Sequence, residues 1–155
     1  MDFNQELVIK YFKIFTIYIF STLYIIIGLK HFIDPSFFMS IMPPFIPFHK
    51  ALVFVSGFFE VLFGVLLLFQ KTRVYAAHGL ICLLILVFPA NVYLYLDALP
   101  REILGVTQMQ ALIRMPFQIP LILIAYWHSL KDCSIYFSYA CIFLSIPTIV
   151  YFISL

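Results

Sequence analysis

SGFFEVLFGVLLLF, residues 56–69, is apolar enough to form the middle of a membrane-crossing helix, yet it carries Glu60 near its centre. A charged side chain there costs about 2.5–3.5 kcal/mol on insertion scales unless something pairs with it or neutralises it. Ser56, Glu60 and Gly64 recur at four-residue spacing with Gly57 beside them, so they share one helix face. Small residues on that face let a neighbouring backbone come close, which turns Glu60 toward other helices and away from lipid. It lies ~13 Å into its span.

The remainder of the 155-residue chain agrees with a membrane setting. It is 65% hydrophobic, 19% aromatic and 10% charged, with a mean hydropathy of +1.09, whereas soluble domains carry about 25% charged residues. A formal charge of +2 is too small to point to nucleic acid, and no basic patch interleaves with aromatics. Cys82, Cys133 and Cys141 show neither CxxC nor metal-ligand spacing. Five stretches are long and apolar enough to span: 12–31, 51–69, 74–96, 106–127 and 135–155. Lys10 and Lys13 come before the apolar run of the first, with no small-x-small cleavage site after it, so it is expected to stay as an uncleaved span. Lys10, Lys13, Lys71, Arg73 and Lys131 fall on one side of the spans, and Lys30, Lys50 and Arg101 on the other. The positive-inside rule then places the N-terminus in the cytoplasm.

The first connection, KHFIDPSFFMSIMPPFIPFHK, opens with Asp34-Pro35, a carboxylate cap followed by proline at the first helical position. A short aromatic helix is expected there, lying in the membrane interface and ending before Pro43 and Pro44. Further polar residues fall within the spans. Gln110, Arg114 and Gln118 form a stripe on the fourth, bracketed by Pro116 and Pro120. Arg114 lies at ~15 Å depth, in the same layer as Glu60, so a Glu60–Arg114 ion pair is expected. In the third span Pro89 frees the carbonyl of Ile85, and Asn91 can satisfy such a group. Ser21, Tyr24, Gly28 and His31 line one face of the first. Glu60, Arg114, Asn91, His31, Gln118, Tyr24 and Gln110 are thus the candidate polar core, either a ligand site or glue between helices.

No HExxH, P-loop, GxGxxG or GxSxG is present, so no catalytic residue is assigned and no metal is expected. His78 and His128 are the pair a bis-histidine haem would need, but neither has an evident supporting partner. Asp34, Asp97, Glu102 and Asp132 look solvated in connections.

The run GLKHFIDPSFFMSIMPPFIPFHKALVFVSGFFEVLFGVLLL, then KTRVYAAHGLICLLILVFPANVYLYL and the later Arg114, Pro116 and Gln118, resembles the DoxX-like membrane proteins over residues 20–128. The residues that carry the likeness are Gly28, His31, Phe32, Pro35, Met42, Pro43, Pro44 and Pro47, then Ser56, Gly57, Glu60 and Gly64, and Val87 to Asn91. The resemblance implies an all-α four-helix transmembrane bundle in the bacterial inner membrane. Some such proteins are associated with quinone-linked oxidoreductases, which implies a bound quinone and an oxidoreductase partner subunit. The fifth apolar segment departs from that pattern and bears on contacts between copies of the chain. Two functions follow as expectations: a membrane subunit that binds a quinone or other lipophilic ligand, or a non-enzymatic lipid-binding or assembly protein. A transporter is disfavoured by the short chain and the lack of an internal repeat.

Overall fold

The computed structural model describes residues 3–153, which are helical apart from their connections. The order is α1 (Phe3–Ile33), α2 (Pro35–Ser40), α3 (His49–Leu68), α4 (Arg73–Leu96), α5 (Ala98–Leu104), α6 (Gln108–Ser129) and α7 (Ile135–Ile153). Five of these helices, α1, α3, α4, α6 and α7, have the length and hydropathy to cross a membrane. The last two residues of the span expected over 135–155 lie outside the described residues.

Helix α1 begins well before residue 12, because the polar segment ahead of its apolar run continues the same helix and places Glu6 in the first turn, where a carboxylate favours the helix dipole. Its 31 residues extend ~46 Å, against a hydrocarbon core of ~30 Å. Helix α2 forms where Asp34-Pro35 indicated, with the Asp34 carboxylate accepting from the Phe37 N–H. Helix α5 was not expected. Asp97 caps it by accepting from the Leu99 N–H at 2.9 Å, and Gly105 ends it at φ 63°, the left-handed conformation that glycine adopts without strain.

Two arginines close helix ends. Arg73 donates to the Leu67 and Leu68 carbonyls at 3.0 and 3.2 Å, and Arg101 donates to the Leu94 carbonyl at 3.2 Å. Those carbonyls would otherwise lack partners at the last turns of α3 and α4.

The helices alternate in direction, so the start of α1, the α3–α4 turn and the α6–α7 connection gather at one end, and α2 and α5 meet at the other. Helix α1 packs chiefly on α3 and α4 on α6, while α3 also meets α4 and α7 meets both α6 and α1. A shared apolar cluster joins Ile17, Phe20 and Tyr24 of α1 to Leu67, Leu80, Leu84, Leu121 and Ile124, with Ile149 and Phe152 of α7 against its edge. Large apolar side chains elsewhere face outward. Phe45 and Phe48 are exposed at the α2 end, and Tyr75 and Tyr136 toward the opposite end.

The contact between α1 and α3 runs through glycines. A Cβ on Gly57 would lie 2.4 Å from the His31 Cβ, and one on Gly28 would lie 2.7 Å from the Gly57 carbonyl oxygen. A Cβ on Gly64 would lie 2.9 Å from Ile25 Cγ1. Gly28 and Gly57 therefore set how near α1 and α3 approach, as small residues do in membranes generally.

Gly57→Val should force the two helices apart and cost about 3 kcal/mol or more. Gly105→Ala at a solvent-facing cap should cost only about 1 kcal/mol. Unfolding in mixed micelles, followed by circular dichroism, checks the difference; equal losses would remove the glycine contact from its controlling position.

Candidate functional site

The glycine contact brings the stripe on α1 against the Glu60 face of α3. Ser21, Tyr24 and His31 are all buried there, and a Cβ on Gly28 would touch the Glu60 Cβ at 2.9 Å. His31 Nδ1 lies 3.4 Å from Glu60 Oε2, with the two side chains 7% and 12% exposed. The contact is an approach of charge-bearing groups rather than a hydrogen bond. Nδ1 lies 2.9 Å from the Ile27 carbonyl oxygen, so its N–H donates there, along its own helix. Glu60 Oε2 and the Tyr24 and Ser21 hydroxyls are left buried without a hydrogen-bond partner.

Helix α2 roofs this cluster. The Phe38 ring stacks on His31 with centroids 3.5 Å apart and planes 19° apart. The roof is held by Asp34, which accepts from the Ser36 hydroxyl at 2.6 Å and from the Phe37 N–H at 3.3 Å. The Ser36 hydroxyl and the Phe37 amide together hold the exposed Asp34 carboxyl below its ordinary range. A depressed carboxylate stabilises α2 fully at neutral pH, and that contribution is lost as pH falls through the depressed value.

Glu60 thus meets His31, and the expected Glu60–Arg114 ion pair does not form. Among the described residues, the His31–Glu60 contact is the one approach of an acidic to a basic side chain within 4.0 Å. Arg114 sits half-buried on α6. The reason is lateral: α3 packs between α1 and α4, whereas α6 packs on α4 and α7. Equal depth along the bundle axis does not make two helices neighbours.

The other candidates serve elsewhere. Gln118 is buried and donates to the Leu84 carbonyl oxygen, while Asn91 donates to Gln118 Oε1 at 3.3 Å. These bonds join α4 to α6 beside Pro89, the proline inside α4. Pro89 removes the helical donor of the Ile85 carbonyl, not of Leu84, so these bonds tie α4 to α6 and do not make the expected repair at Ile85. Gln110 lies outside the polar core. It is exposed in the first turn of α6, where its side chain and that of Thr107 satisfy each other's backbone N–H groups. That T-x-x-Q capping box was readable in the sequence. No hydrogen bond among the described residues links the Tyr24–His31–Glu60 cluster to the Asn91–Gln118 pair.

The two haem-candidate histidines are differently engaged. His78 is exposed and bonded to Val74 of its own helix at 2.8 Å, whereas His128 is buried with Nε2 3.0 Å from the Thr16 hydroxyl. Among the described residues, no group of three His, Cys, Asp or Glu side chains could hold a metal ion.

A family model described as "Domain of unknown function (DUF8561)" matches residues 20–129. The chain belongs to that family, and the matched segment carries both polar sets and ends where α6 does. No curated protein and no solved structure matches the chain.

Double-mutant cycles should separate the two carboxylate partners. His31→Ala with Glu60→Gln should show a coupling of about 0.6–1.7 kcal/mol, the range of polar contacts between membrane helices. Arg114→Leu with Glu60→Gln should show less than about 0.3 kcal/mol. Gln118→Leu should destabilise the protein by about 1–2 kcal/mol, since it removes the bond to Leu84 and leaves Asn91 without its partner.

Proposed function

We propose that this chain is a multi-pass protein of a bacterial inner membrane, similar to the DoxX-like proteins, that receives the polar head of a lipophilic ligand between α1 and α3. A quinone is the ligand class that suits the cluster best. The observation that carries the reading is the presence of Glu60 Oε2 and the Tyr24 hydroxyl, both buried and without hydrogen-bond partners, beside His31. Each such unmade bond costs about 1–3 kcal/mol, which a head group offering both an acceptor and a donor would recover. Tyr24 would donate to a ligand oxygen in either redox state, Glu60 would accept from the hydroxyl of the reduced quinol, and His31 would hold or pass a proton beside them. Phe38 would turn aside to admit the ligand, so α2 acts as a lid lying in the interface. The sequence carries no redox motif of its own, so electrons would pass to or from a partner subunit of an oxidoreductase system.

In this reading α1, α3, α4 and α6 form a four-helix core, with α7 appended as a fifth helix available for self-association. The family match stopping at residue 129 and the apolar cluster drawn from those four helices support that arrangement. The N-terminus is placed in the cytoplasm on the positive-inside rule.

A second reading is a non-enzymatic lipid-binding or assembly protein whose polar groups only specify packing. The Asn91–Gln118–Leu84 bonds between α4 and α6 favour it, because they serve the helices themselves.

Purification in mild detergent, solvent extraction and mass spectrometry should recover a stoichiometric quinone from the native protein. Tyr24→Phe and Glu60→Gln should lose it by at least tenfold while remaining folded and monodisperse. Recovery of bulk phospholipid alone, or unfolding of both variants, would favour the packing role instead.

A further inference from the structure

At the end of the bundle opposite α2, the start of α1, the first turn of α4 and the α6–α7 connection enclose an open cleft of about 960 Å³. It lies away from the Tyr24–His31–Glu60 cluster and takes no part in the function proposed for that cluster. Four cations line it, Lys10, Lys13, Arg73 and Lys131, against two carboxylates, Glu6 and Asp132, which would oppose an anion. Both carboxylates are exposed, as are Lys10 and Lys131, so water screens these four alike, and the half-buried Lys13 and Arg73 leave the cleft net positive.

The inner cations are already fixed in place. Lys13 Nζ donates to the Leu130 carbonyl at 2.6 Å, leaving two of its three N–H groups. Arg73 uses Nε and one Nη2 hydrogen on the end of α3, leaving three donors of its fork. Trp127 also lines the cleft and keeps a buried indole N–H with no hydrogen-bond partner. Thr72 makes no side-chain bond to the α4 N-terminus, so the amides of that first turn add to the positive field.

The lining changes character along α1. Glu6, Ile9, Lys10 and Lys13 come first, with three of these four charged, then Ile14, Ile17 and Tyr18 on the way into the apolar part of the bundle. That sequence of surfaces matches a molecule with a phosphate at one end and a hydrocarbon chain at the other. The length of α1 beyond the hydrocarbon core puts Lys10 and Lys13 at headgroup level.

We propose that this cleft is a binding site for a phosphate group, carried by an anionic phospholipid whose acyl chain runs down the α1 face.

Trp127, the chain's one tryptophan, reports on the site directly. Delipidated protein in neutral detergent would be titrated with phosphatidylglycerol, phosphatidylcholine or inorganic phosphate while Trp127 fluorescence is followed. Phosphatidylglycerol should give a saturable change at least tenfold tighter than phosphatidylcholine. Lys10→Gln and Lys131→Gln, both exposed positions, should each weaken it about fivefold, and Lys71→Gln, in the same end of the bundle but outside the cleft, should leave it within about twofold. Saturation by inorganic phosphate alone, with the same dependence on Lys10 and Lys131, would uphold the phosphate site and assign it to a free phosphate instead of a lipid. Equal binding of the two phospholipids would overturn the proposal, as would equal losses in Lys71→Gln and Lys10→Gln, which would mark diffuse attraction. Binding unchanged in the Lys10→Gln Lys131→Gln double variant, its fold verified by circular dichroism, would overturn it as well.

Discussion

The contact of Gly28 with Gly57 governs what the rest of the bundle can do. Lipid offers no hydrophobic penalty for separating two apolar helices, so close packing has to supply the preference. Without side chains at these two positions the α1 and α3 backbones come near enough for the His31 and Glu60 side chains to lie against each other. The same contact buries the Tyr24 hydroxyl and Glu60 Oε2 where no described side chain hydrogen-bonds them. Larger residues there would admit solvent and turn a poised polar group into an ordinary hydrated one.

Two kinds of intramembrane polarity coexist in the molecule. Between α4 and α6 the amides of Asn91 and Gln118 spend their bonds on each other and on the backbone carbonyl of Leu84. Between α1 and α3 the polar groups are brought together yet left with unused bonding capacity. The first arrangement is complete within the protein. The second leaves Glu60 Oε2 and the Tyr24 and Ser21 hydroxyls without hydrogen-bond partners among the described residues, and this asymmetry distinguishes the two interfaces. Proline also lies inside α4, α6 and α7, as membrane-spanning helices tolerate.

Much of this was legible from residue order. The spans follow from apolar run length, α2 from Asp34-Pro35, and the inward aspect of Glu60 from the Ser56, Gly57 and Gly64 that flank it. The partner of Glu60 was not legible, because a one-dimensional count of depth holds no information about which helices stand side by side. Arg114 matched Glu60 in depth and missed it laterally. His31 was read as a member of the cluster, although its contact with Glu60 depends on how closely α1 and α3 approach, a quantity set by two glycines on different helices. Helix α5 and the Thr107–Gln110 box carried ordinary capping signals that the polar stripe on α6 obscured. The buried place of His128 against Thr16 had no sequence signal, since residues far apart in the chain create it.

The aromatic residues exposed at the two ends of the bundle bear on where the protein can reside. Phe45 and Phe48 at one rim, and Tyr75 and Tyr136 at the other, are 77–84% exposed. Aromatic rings prefer the zone between hydrocarbon and water, so the two sets act as collars with a fixed separation. The 20 residues of α3 cover ~30 Å, which sets that separation close to the thickness of an average bilayer. A membrane thicker or thinner by a few ångström would have to deform around the collars at a cost of fractions of a kcal/mol per Å. A bilayer matching the length of α3 therefore accommodates these exposed rings with the least deformation.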